Sequence, residues 1–571
     1  MAPPPRLPEI LAALEELAAE IRLEVRRGKC HVWSPTPIAP RIRSDHRMRS
    51  VVFHSAAPQV RAGRSDPCDR GDAGLVICGA PVGHRVFQAA HAHRAVFDSA
   101  DLIRQVSSME DTHVGMLLLR FCCHPRFGHH LRMIAPDVVR PAARDFDELM
   151  LVAVARCQRM HPDALRDLPG SWSHISLSTR FGGAGITSAV TVSPAAFLGS
   201  WSGVSRILLD HFPDLPLESS ARSILLPALF PLTSSRLTTA IHIRAAWSRV
   251  AFLPRVLAST PLLDATGLPS LDRLPGALSH AQRVFASALH SSAREALIAP
   301  ASSPSPRTAA RVRSSGSLGA RAILHFPSCP DHFLEPFAYR VMFAFRFGLP
   351  MSHIGRLDAA FLDPDLPTFD PFGHAALDCG QLYPPDRRGR FHTHTVVAVE
   401  CRALADRMGF TTRPEVVGFF YSGETATGRR PDFVHPTAGG GFRMFDVSLV
   451  DPAASSFVDK AARHDLSASR DRDRAKVAKY DALDDPAACR AMGHTFVPLA
   501  IETTGAFGPS FADWFGGWIS ELRAAELDAG GSGWQTAGLS IYWQQRISVA
   551  LHRSIATRMC SRMVVHTHDG R

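Results

Sequence analysis

Hydrophobic residues form two kinds of pattern along the chain, helical periodicity and short runs, and each pattern predicts one type of element. Residues 9–28 place their apolar positions largely on one face of a helix, and residues 84–300 continue in mostly helical patterns. A short strand-like run predicts a strand at residues 29–33, and a continuous apolar run closed by a Gly/Pro turn predicts another at residues 74–83. The residues between them, 34–73, are polar and rich in Pro, Arg and Asp, so we interpret them as a loop.

The pattern changes after residue 300. Residues 301–319 are rich in Ser, Pro, Arg and Gly and have almost nothing to bury, which is typical of a linker. A second domain is predicted to begin near residue 320. Within it, residues 416–450 alternate short strands and turns, with strands at 417–420 and 444–450. A charged helix is predicted over residues 456–481, and a further strand over 495–502.

The charge of the chain suits a polyanionic partner. The 571 residues carry a formal net charge of +10 at pH 7. Only four of the 63 basic residues are lysines, and two of these, Lys476 and Lys479, lie three residues apart on one face of the charged helix. Because a lysine can give up its proton far more readily than an arginine, these two are candidate catalytic groups.

Cysteine usage and apolar content limit the compartment. The 11 cysteines form an odd number without a CxxC pair, so we expect a reducing compartment, the nucleus or the cytoplasm, and not secretion. Acidic residues within the N-terminal apolar stretch argue against a signal peptide. No run of about 18 apolar residues occurs, so we expect no membrane span.

Two acids are spaced so that a hairpin can bring them together. Asp432 follows Pro431, and Asp446 lies on the strand predicted at 444–450, with thirteen residues between the two acids. Two carboxylates that converge to about 4–6 Å can hold Mg²⁺, a hard cation that prefers oxygen ligands. Such an ion activates water and polarises a phosphodiester. Taken alone, a Pro-Asp turn or an acid at a strand end is more often solvated, so the prediction rests on the ordered set.

A lysine near the attacking water would complete such a site by stabilising charge in the transition state. In many nucleases of this kind the lysine lies two residues after the second acid, and here that position is Ser448. We therefore expect Lys476 or Lys479, on the following helix, to supply the cation. Glu502, at the end of the predicted strand 495–502, is a further candidate for a metal or water contact.

This ordered set resembles the restriction-enzyme-like endonuclease of site-specific non-LTR retrotransposon polyproteins, in which the endonuclease follows a reverse transcriptase. The resemblance rests on a basic residue, Pro-Asp, about a dozen residues and an acid, followed by helical lysines. It extends to residues 496–505 as the next strand and 545–551 as the closing helix. Segments resembling the reverse transcriptase are residues 28–33, 79–83 (the primer grip), and 175–186 with 193–196 (beyond the thumb).

The resemblance implies a multidomain α+β or α/β chain. Its N-terminal half would be mostly helical, and its C-terminal part a restriction-endonuclease-like α/β core. The implied domains are the palm edge and thumb (1–150), a helical post-thumb region (151–300), a linker (301–319), a connector with a zinc-knuckle-like segment (320–395), the endonuclease (396–530) and a C-terminal helix (531–571).

The implied function is Mg²⁺-dependent nicking of target DNA for target-primed reverse transcription. The implied catalytic residues are Asp432, Asp446, Lys476, Lys479 and Glu502, with the two aspartates holding the metal. The residues implied to contact nucleic acid are Arg429, Arg430, Arg472, Arg474 and Lys29.

Two departures from the family pattern leave alternatives open. No Tyr-x-Asp-Asp precedes Lys29, so we expect no polymerisation by this chain alone, with element RNA and an intact reverse transcriptase as partners beside DNA. The zinc knuckle keeps only His374 and Cys379, whereas a structural zinc needs four ligands. The substitutes that the sequence offers are His392, His394 and Cys401. A catalytically dead nucleic-acid-binding remnant, or the product of a pseudogene or a misassigned reading frame, remains an alternative.

Overall fold

The structure is a computed structural model, and two compact units divide the chain. It describes residues 7–20, 24–25, 27, 31–34, 40–55, 74–197, 199–200, 281–351, 372, 388–414, 421–422, 425–426, 430–437, 439–482 and 488–568. The first unit comprises Met1–Leu102, Cys123–Leu149 and Ser188–Leu289. The second unit comprises Ile103–Cys122, Met150–Thr187 and His290–Arg571. Both units are discontinuous in sequence.

Helices predominate among the described residues, and with the small sheets they make the chain an α+β protein. The helices, in chain order, are α1 Leu7–Glu20, α2 Pro40–Arg43, α3 Arg85–Ser107, α4 Thr112–Leu118, α5 Gly128–Met133, α6 Pro136–Cys157, α7 Pro162–Asp167, α8 Ser171–Ile175, α9 Ala281–Ile298, α10 Pro306–Ser315, α11 Pro336–Phe347, α12 Arg388–Arg407, α13 Val458–Ala461, α14 Ser467–Tyr480, α15 Pro509–Asp528 and α16 Trp534–His568. None of the helices in the described part of the chain is both long and apolar enough to cross a membrane.

The described strands form four small sheets. They are β1 His31–Ser34, β2 Val52–Ser55, β3 Gly74–Ile77, β4 Ala80–Gly83, β5 Arg413–Pro414, β6 Tyr421–Ser422, β7 Thr425–Ala426, β8 Phe433–Pro436, β9 Phe442–Val450 and β10 Thr495–Glu502. Strands β1 and β2 pair in parallel, whereas β3 with β4 and β6 with β7 pair antiparallel. The largest sheet has the order β10-β9-β8-β5.

This four-stranded sheet is the framework of the second unit. Strand β8 is antiparallel to β5 and β9, and β10 is parallel to β9. Parallel neighbours need a crossover connection, which α13 and α14 provide between β9 and β10. Helix α14 packs on β9 and β10, α15 packs on β10, and α12 packs on β9 and α16. Strand β9 is buried along most of its length because helices cover it.

Several elements match the sequence-based predictions. The helix is confirmed over residues 9–20, the first strand over 31–33, and the strands over 444–450 and 495–502 as parts of β9 and β10. The charged helix predicted over 456–481 is interrupted, because Leu466 adopts a left-handed backbone with φ 55° between α13 and α14. The strand predicted at 417–420 lies outside the described residues.

Two predictions in the first unit are corrected. Residues 34–73, interpreted as a loop, contain α2 and β2. The single strand predicted over 74–83 is a hairpin of β3 and β4. Its turn is made by Cys78 (φ 49°) and Gly79 (φ 79°), and a two-residue turn that matches the strand twist needs positive φ at both positions.

The segment 301–319 is not the exposed linker that its composition predicted. It contains α10, whose N-cap Ser305 accepts a hydrogen bond of 3.1 Å from the Thr308 amide. The capping serine and the proline after it are a helix-start signal. Small apolar side chains on α10, including Ala309 and Val312, pack with Leu177 in a buried cluster. Residues with little to bury individually are buried here because their small size permits close packing.

A fully buried arginine holds the end of α10 to its neighbours. Arg346, on α11, donates hydrogen bonds to the carbonyls of Ser315 at 2.6 Å, Ala320 at 2.7 Å and Gly182 at 3.3 Å. Burial lowers the pKa of Arg346 to about 9. Helix α11 ends at Phe347, and the C-cap residue after it, Gly348, has φ 67°. This buried cation therefore joins three chain segments that are distant in sequence.

Candidate functional site

A hairpin places Asp432 and Asp446 side by side. Phe433 on β8 pairs with Phe445 on β9. Because the two strands are antiparallel, Asp432, which precedes Phe433, lies opposite Asp446, which follows Phe445. The Asp432 amide donates to the Phe445 carbonyl at 2.9 Å, which continues the pairing by one residue. The hairpin expected from the thirteen-residue spacing is therefore confirmed.

Asp446 is a buried carboxylate with a lysine as its partner. It is 3% exposed at the centre of β9, and Lys476 Nζ on α14 contacts its Oδ1 atom directly. Burial raises the pKa of Asp446; Lys476 partly opposes this effect, and the charge of Asp432 adds to it. Lys476 therefore places a cation beside Asp446, whose charge is repelled by that of Asp432.

Tyr480 anchors the lysine helix to the hairpin. Its ring is buried with Val434 and Met444, one helical turn beyond Lys476. Its hydroxyl donates to the Arg430 carbonyl at 2.7 Å and lies beside the Asp446 carboxylate. Burial and the nearby Asp446 charge raise the pKa of Tyr480, so this hydroxyl stays protonated. The i,i+4 spacing of Lys476 and Tyr480 explains why both face the acids.

Asp432 is held by a backbone amide and a histidine. Its Oδ2 atom accepts a hydrogen bond of 2.6 Å from the Val447 amide and lies 3.2 Å from Nε2 of His394. The same nitrogen lies 3.0 Å from the Val447 carbonyl, so a protonated Nε2 donates to both oxygens. Burial works to lower the pKa of His394, but the Asp432 carboxylate outweighs it, and the net shift is upward.

His394 was singled out in the sequence only as a substitute zinc ligand. It lies on α12, 38 residues before Asp432 in the chain, and no spacing pattern connects the two. The packing of α12 on β9 brings them together. Sequence reasoning had no signal for this contact.

The other predicted catalytic residues lie apart from the acid pair. Lys479 is exposed, with its ammonium 5.0 Å from the centre of the Tyr480 ring. Glu502 pairs with Val450, whereas the β10 residue opposite Asp446 is Pro498. Four residues along the strand separate Pro498 from Glu502, a distance of roughly 13 Å. It is fully buried and accepts hydrogen bonds from the amide and hydroxyl of Ser469, at 3.2 and 3.0 Å. Burial raises the pKa of Glu502.

The predicted nucleic-acid contacts are distributed over the same unit where they are described. Arg430 is exposed immediately before the hairpin, and Arg474 is exposed on α14, 3.6 Å from Asp471. Arg472 is half-buried on the same helix. Arg429 and Lys29 lie outside the described residues.

The acid pair fits a magnesium ion better than a zinc ion. Among the described residues, no group of three or more His, Cys, Asp or Glu side chains is arranged to hold a metal. Magnesium does not need such a group, because it is usually bound by one or two carboxylates together with waters and substrate phosphates. Asp432 and Asp446 provide that donor set, and Oδ1 of Asp432 has no hydrogen bond to a described residue.

Some of the zinc candidates lie among the described residues and others lie outside them. His374, Cys379 and the side chain of His392 lie outside the described residues. Nε2 of His394 is engaged by Asp432, and Cys401 is a completely buried thiol whose pKa is raised by burial. All the cysteines that the structure describes are free thiols.

No family model matches this chain, and neither does any curated protein.

Proposed function

We propose that the second unit carries a magnesium-dependent endonuclease site that hydrolyses phosphodiester bonds in DNA. The observation that carries the proposal is the meeting of Asp432, Asp446 and Lys476, from two strands of a hairpin and the following helix. The order of these groups is also the order that resembles the non-LTR retrotransposon endonuclease.

Each group has a role that follows from its position. Asp432 and Asp446 would hold Mg²⁺, which supplies an activated water and offsets charge on the leaving oxygen. Lys476 keeps a positive charge at the buried carboxylate of Asp446 and can stabilise charge on the scissile phosphate. His394 fixes the orientation of Asp432 from the side of α12. The exposed Lys479, Arg430 and Arg474 would contact the DNA backbone.

The biological setting that we propose is that of a retroelement. Nicking by this site would leave a 3′-hydroxyl in target DNA, which an intact reverse transcriptase from another chain would extend with element RNA as template. This role requires access to chromosomal DNA and therefore a nuclear location.

A plasmid-nicking assay tests the nuclease. With Mg²⁺, the wild-type chain should convert supercoiled DNA to the open circle, whereas Asp432→Asn, Asp446→Asn and Lys476→Met should each reduce the rate by at least about 100-fold. Asp459→Asn is the matched control, because Asp459 is exposed on α13 away from the acid pair. If the three site variants nick as fast as wild type, the proposal is wrong.

A second candidate function is nucleic-acid binding without cleavage. It is favoured by Ser448, which stands where many such nucleases have their lysine, and by the exposed basic residues of α14. The two functions separate with Ca²⁺ in place of Mg²⁺, which often supports binding without cutting. DNA affinity that Ca²⁺ increases, and that Asp446→Asn reduces, indicates a working metal site. Affinity governed by salt alone, with no nicking under Mg²⁺, indicates the binding-only function.

A further inference from the structure

A cavity of about 370 Å³ lies beside the acid pair, at the carboxyl end of β9. Its walls come from β9, α12, α14 and α16 of the second unit. Lys476 and His394, which contact the two acids, also line this cavity. The cavity therefore borders the proposed catalytic site through Lys476 and His394.

The cavity is lined by more positive than negative side chains. Arg472 and Arg558 join Lys476 on its walls, whereas Asp451 is the one carboxylate among its lining residues. The Oδ1 atom of Asp451 is already used by the Ala453 amide at 3.0 Å and the Thr503 hydroxyl at 3.1 Å. An anionic group is the ligand that this charge balance favours.

Two polar groups on the cavity wall have no partner among the described residues. Ser448 is 6% exposed, and its hydroxyl makes no hydrogen bond within the described part of the chain. A buried hydroxyl without a partner costs free energy, so a ligand that accepts its hydrogen bond is favoured. Arg472, one helical turn before Lys476, has no ion pair or hydrogen bond with a described residue either. Both groups can bind phosphate oxygens.

The rest of the wall is apolar. Phe457, Leu449, Leu551 and Ile555 line the cavity together with the polar groups. A purely inorganic anion would leave these side chains in contact with water. A volume of about 370 Å³ also exceeds what a single phosphate ion needs and lies in the range of small-molecule sites.

We propose that this cavity is a subsite for one unstacked nucleotide of the DNA strand, with its phosphate at Arg472, Lys476 and Ser448 and its base against the apolar wall. The role of the subsite rests on the proposed nuclease function, because it would hold the nucleotide next to the phosphodiester to be cut. Enzymes that do chemistry on a DNA base show that a nucleotide can be taken out of the stack and its base bound between aromatic or apolar side chains.

Equilibrium dialysis of the full chain with radiolabelled thymidine 5′-monophosphate, in EDTA, tests the subsite without catalysis. The nucleotide should bind saturably and at least about tenfold more tightly than thymidine or inorganic phosphate, because each of these lacks one half of the contacts. Arg472→Met should weaken binding about tenfold, and Ser448→Ala by several-fold. The control Arg407→Met, at the exposed end of α12, should bind as wild type does. Circular dichroism of each variant checks that it is folded.

A single-stranded oligothymidylate distinguishes a nucleotide in a strand from a free one. It should displace the mononucleotide, and Arg472→Met should weaken its binding by a similar factor. Failure to displace, equal binding of thymidine and its monophosphate, or unchanged binding by Arg472→Met would each overturn the subsite. If the chain nicks DNA but Arg472→Met leaves nucleotide binding unchanged, the nuclease proposal stands and the subsite proposal is wrong. If Arg472→Met weakens nucleotide binding but the wild-type chain does not nick DNA, the subsite proposal stands and the nuclease proposal is wrong.

Discussion

Replacing Lys476 with methionine removes the cation from a buried carboxylate while keeping most of the side-chain volume. The side chain of Asp446 is 5% exposed and that of Lys476 is 25% exposed, so water compensates poorly for the loss. In the variant, the charge of Asp432 still acts on Asp446 but the lysine that opposed it is gone. The expected result is a destabilised second unit and a further rise in the pKa of Asp446, because the lysine that opposes the effect of burial is gone.

The size of the effect follows from the geometry. Two opposite charges about 4 Å apart attract by about 4 kcal/mol at the effective permittivity of about 20 that suits protein sites. The cost of removing both groups from water offsets much of this attraction, and hydrogen bonds to charged groups contribute about 1.5–3 kcal/mol net. We therefore expect Lys476→Met to lower the free energy of unfolding by about 2–4 kcal/mol, since it also leaves an unpaired buried acid.

A double-mutant cycle with Asp446→Asn isolates the pair. Urea unfolding at pH 7, followed by tryptophan fluorescence, should give a coupling free energy of about 1.5–3 kcal/mol between the two positions. The matched control is the exposed pair of Lys460 and Asp471, joined at 2.6 Å, whose coupling should stay below about 1 kcal/mol. A coupling between Lys476 and Asp446 below about 0.5 kcal/mol would refute the reasoning, because additivity means that the groups do not interact.

Three further predictions concern the rest of the second unit. Arg346→Met should lower the free energy of unfolding by about 2–4 kcal/mol in urea titrations, because three buried carbonyls lose their hydrogen-bond donor. The control Arg474→Met, on the surface, should change the free energy of unfolding by less than about 0.5 kcal/mol. His113 is buried and accepts a hydrogen bond from a backbone amide, and burial lowers its pKa to about 4. The unfolded chain binds its proton first, so stability should fall by up to about 3 kcal/mol as the pH drops from about 6.5 to 4, and His113→Gln should flatten that slope in acid-unfolding curves. Gly348→Ala should lower the free energy of unfolding by more than about 1 kcal/mol, because φ is +67° and the new Cβ would clash with a guanidinium. The control Gly516→Ala, inside α15, places a Cβ with nothing within 4 Å and should raise the free energy of unfolding by about 0.5–1 kcal/mol. Thermal melting measures both changes.

Each of these predictions has a result that contradicts it. Equal stabilities of Arg346→Met and Arg474→Met would show that the buried guanidinium contributes no net stability. An unchanged pH slope in His113→Gln would assign the acid sensitivity to other groups, such as the buried His552, whose pKa burial lowers to about 3. A Gly348→Ala variant as stable as wild type would mean that the end of α11 relaxes without cost.

Local patterns in the sequence specified the elements around the candidate site. The strands predicted at residues 444–450 and 495–502 located β9 and β10, and the spacing of the two acids anticipated the hairpin that joins Asp432 to Asp446. The i,i+4 relation of Lys476 and Tyr480 placed both on one helix face. These features are predictable because they depend on residues close in sequence, where backbone geometry alone decides which side chains face together.

Composition gave a wrong prediction for the exposure of one segment, because packing decides which residues are buried. Residues 301–319 have the composition of a linker, yet α10 is buried, because burial depends on the surfaces that meet a segment and not on the segment itself. The left-handed residue Leu466, which divides the predicted charged helix, likewise has no signal of its own in the sequence.

The contacts of His394 with Asp432, the position of Glu502 away from the acids, and the cavity at Ser448 were decided only by the tertiary structure. Each depends on how α12, α14 and α16 pack around the sheet, over separations of tens of residues. The sequence by itself determined which chemical groups the hairpin and its helix could present. The packing of distant helices determined which of them meet, because side-chain contacts across such separations are set by the fit of whole surfaces and not by any local period.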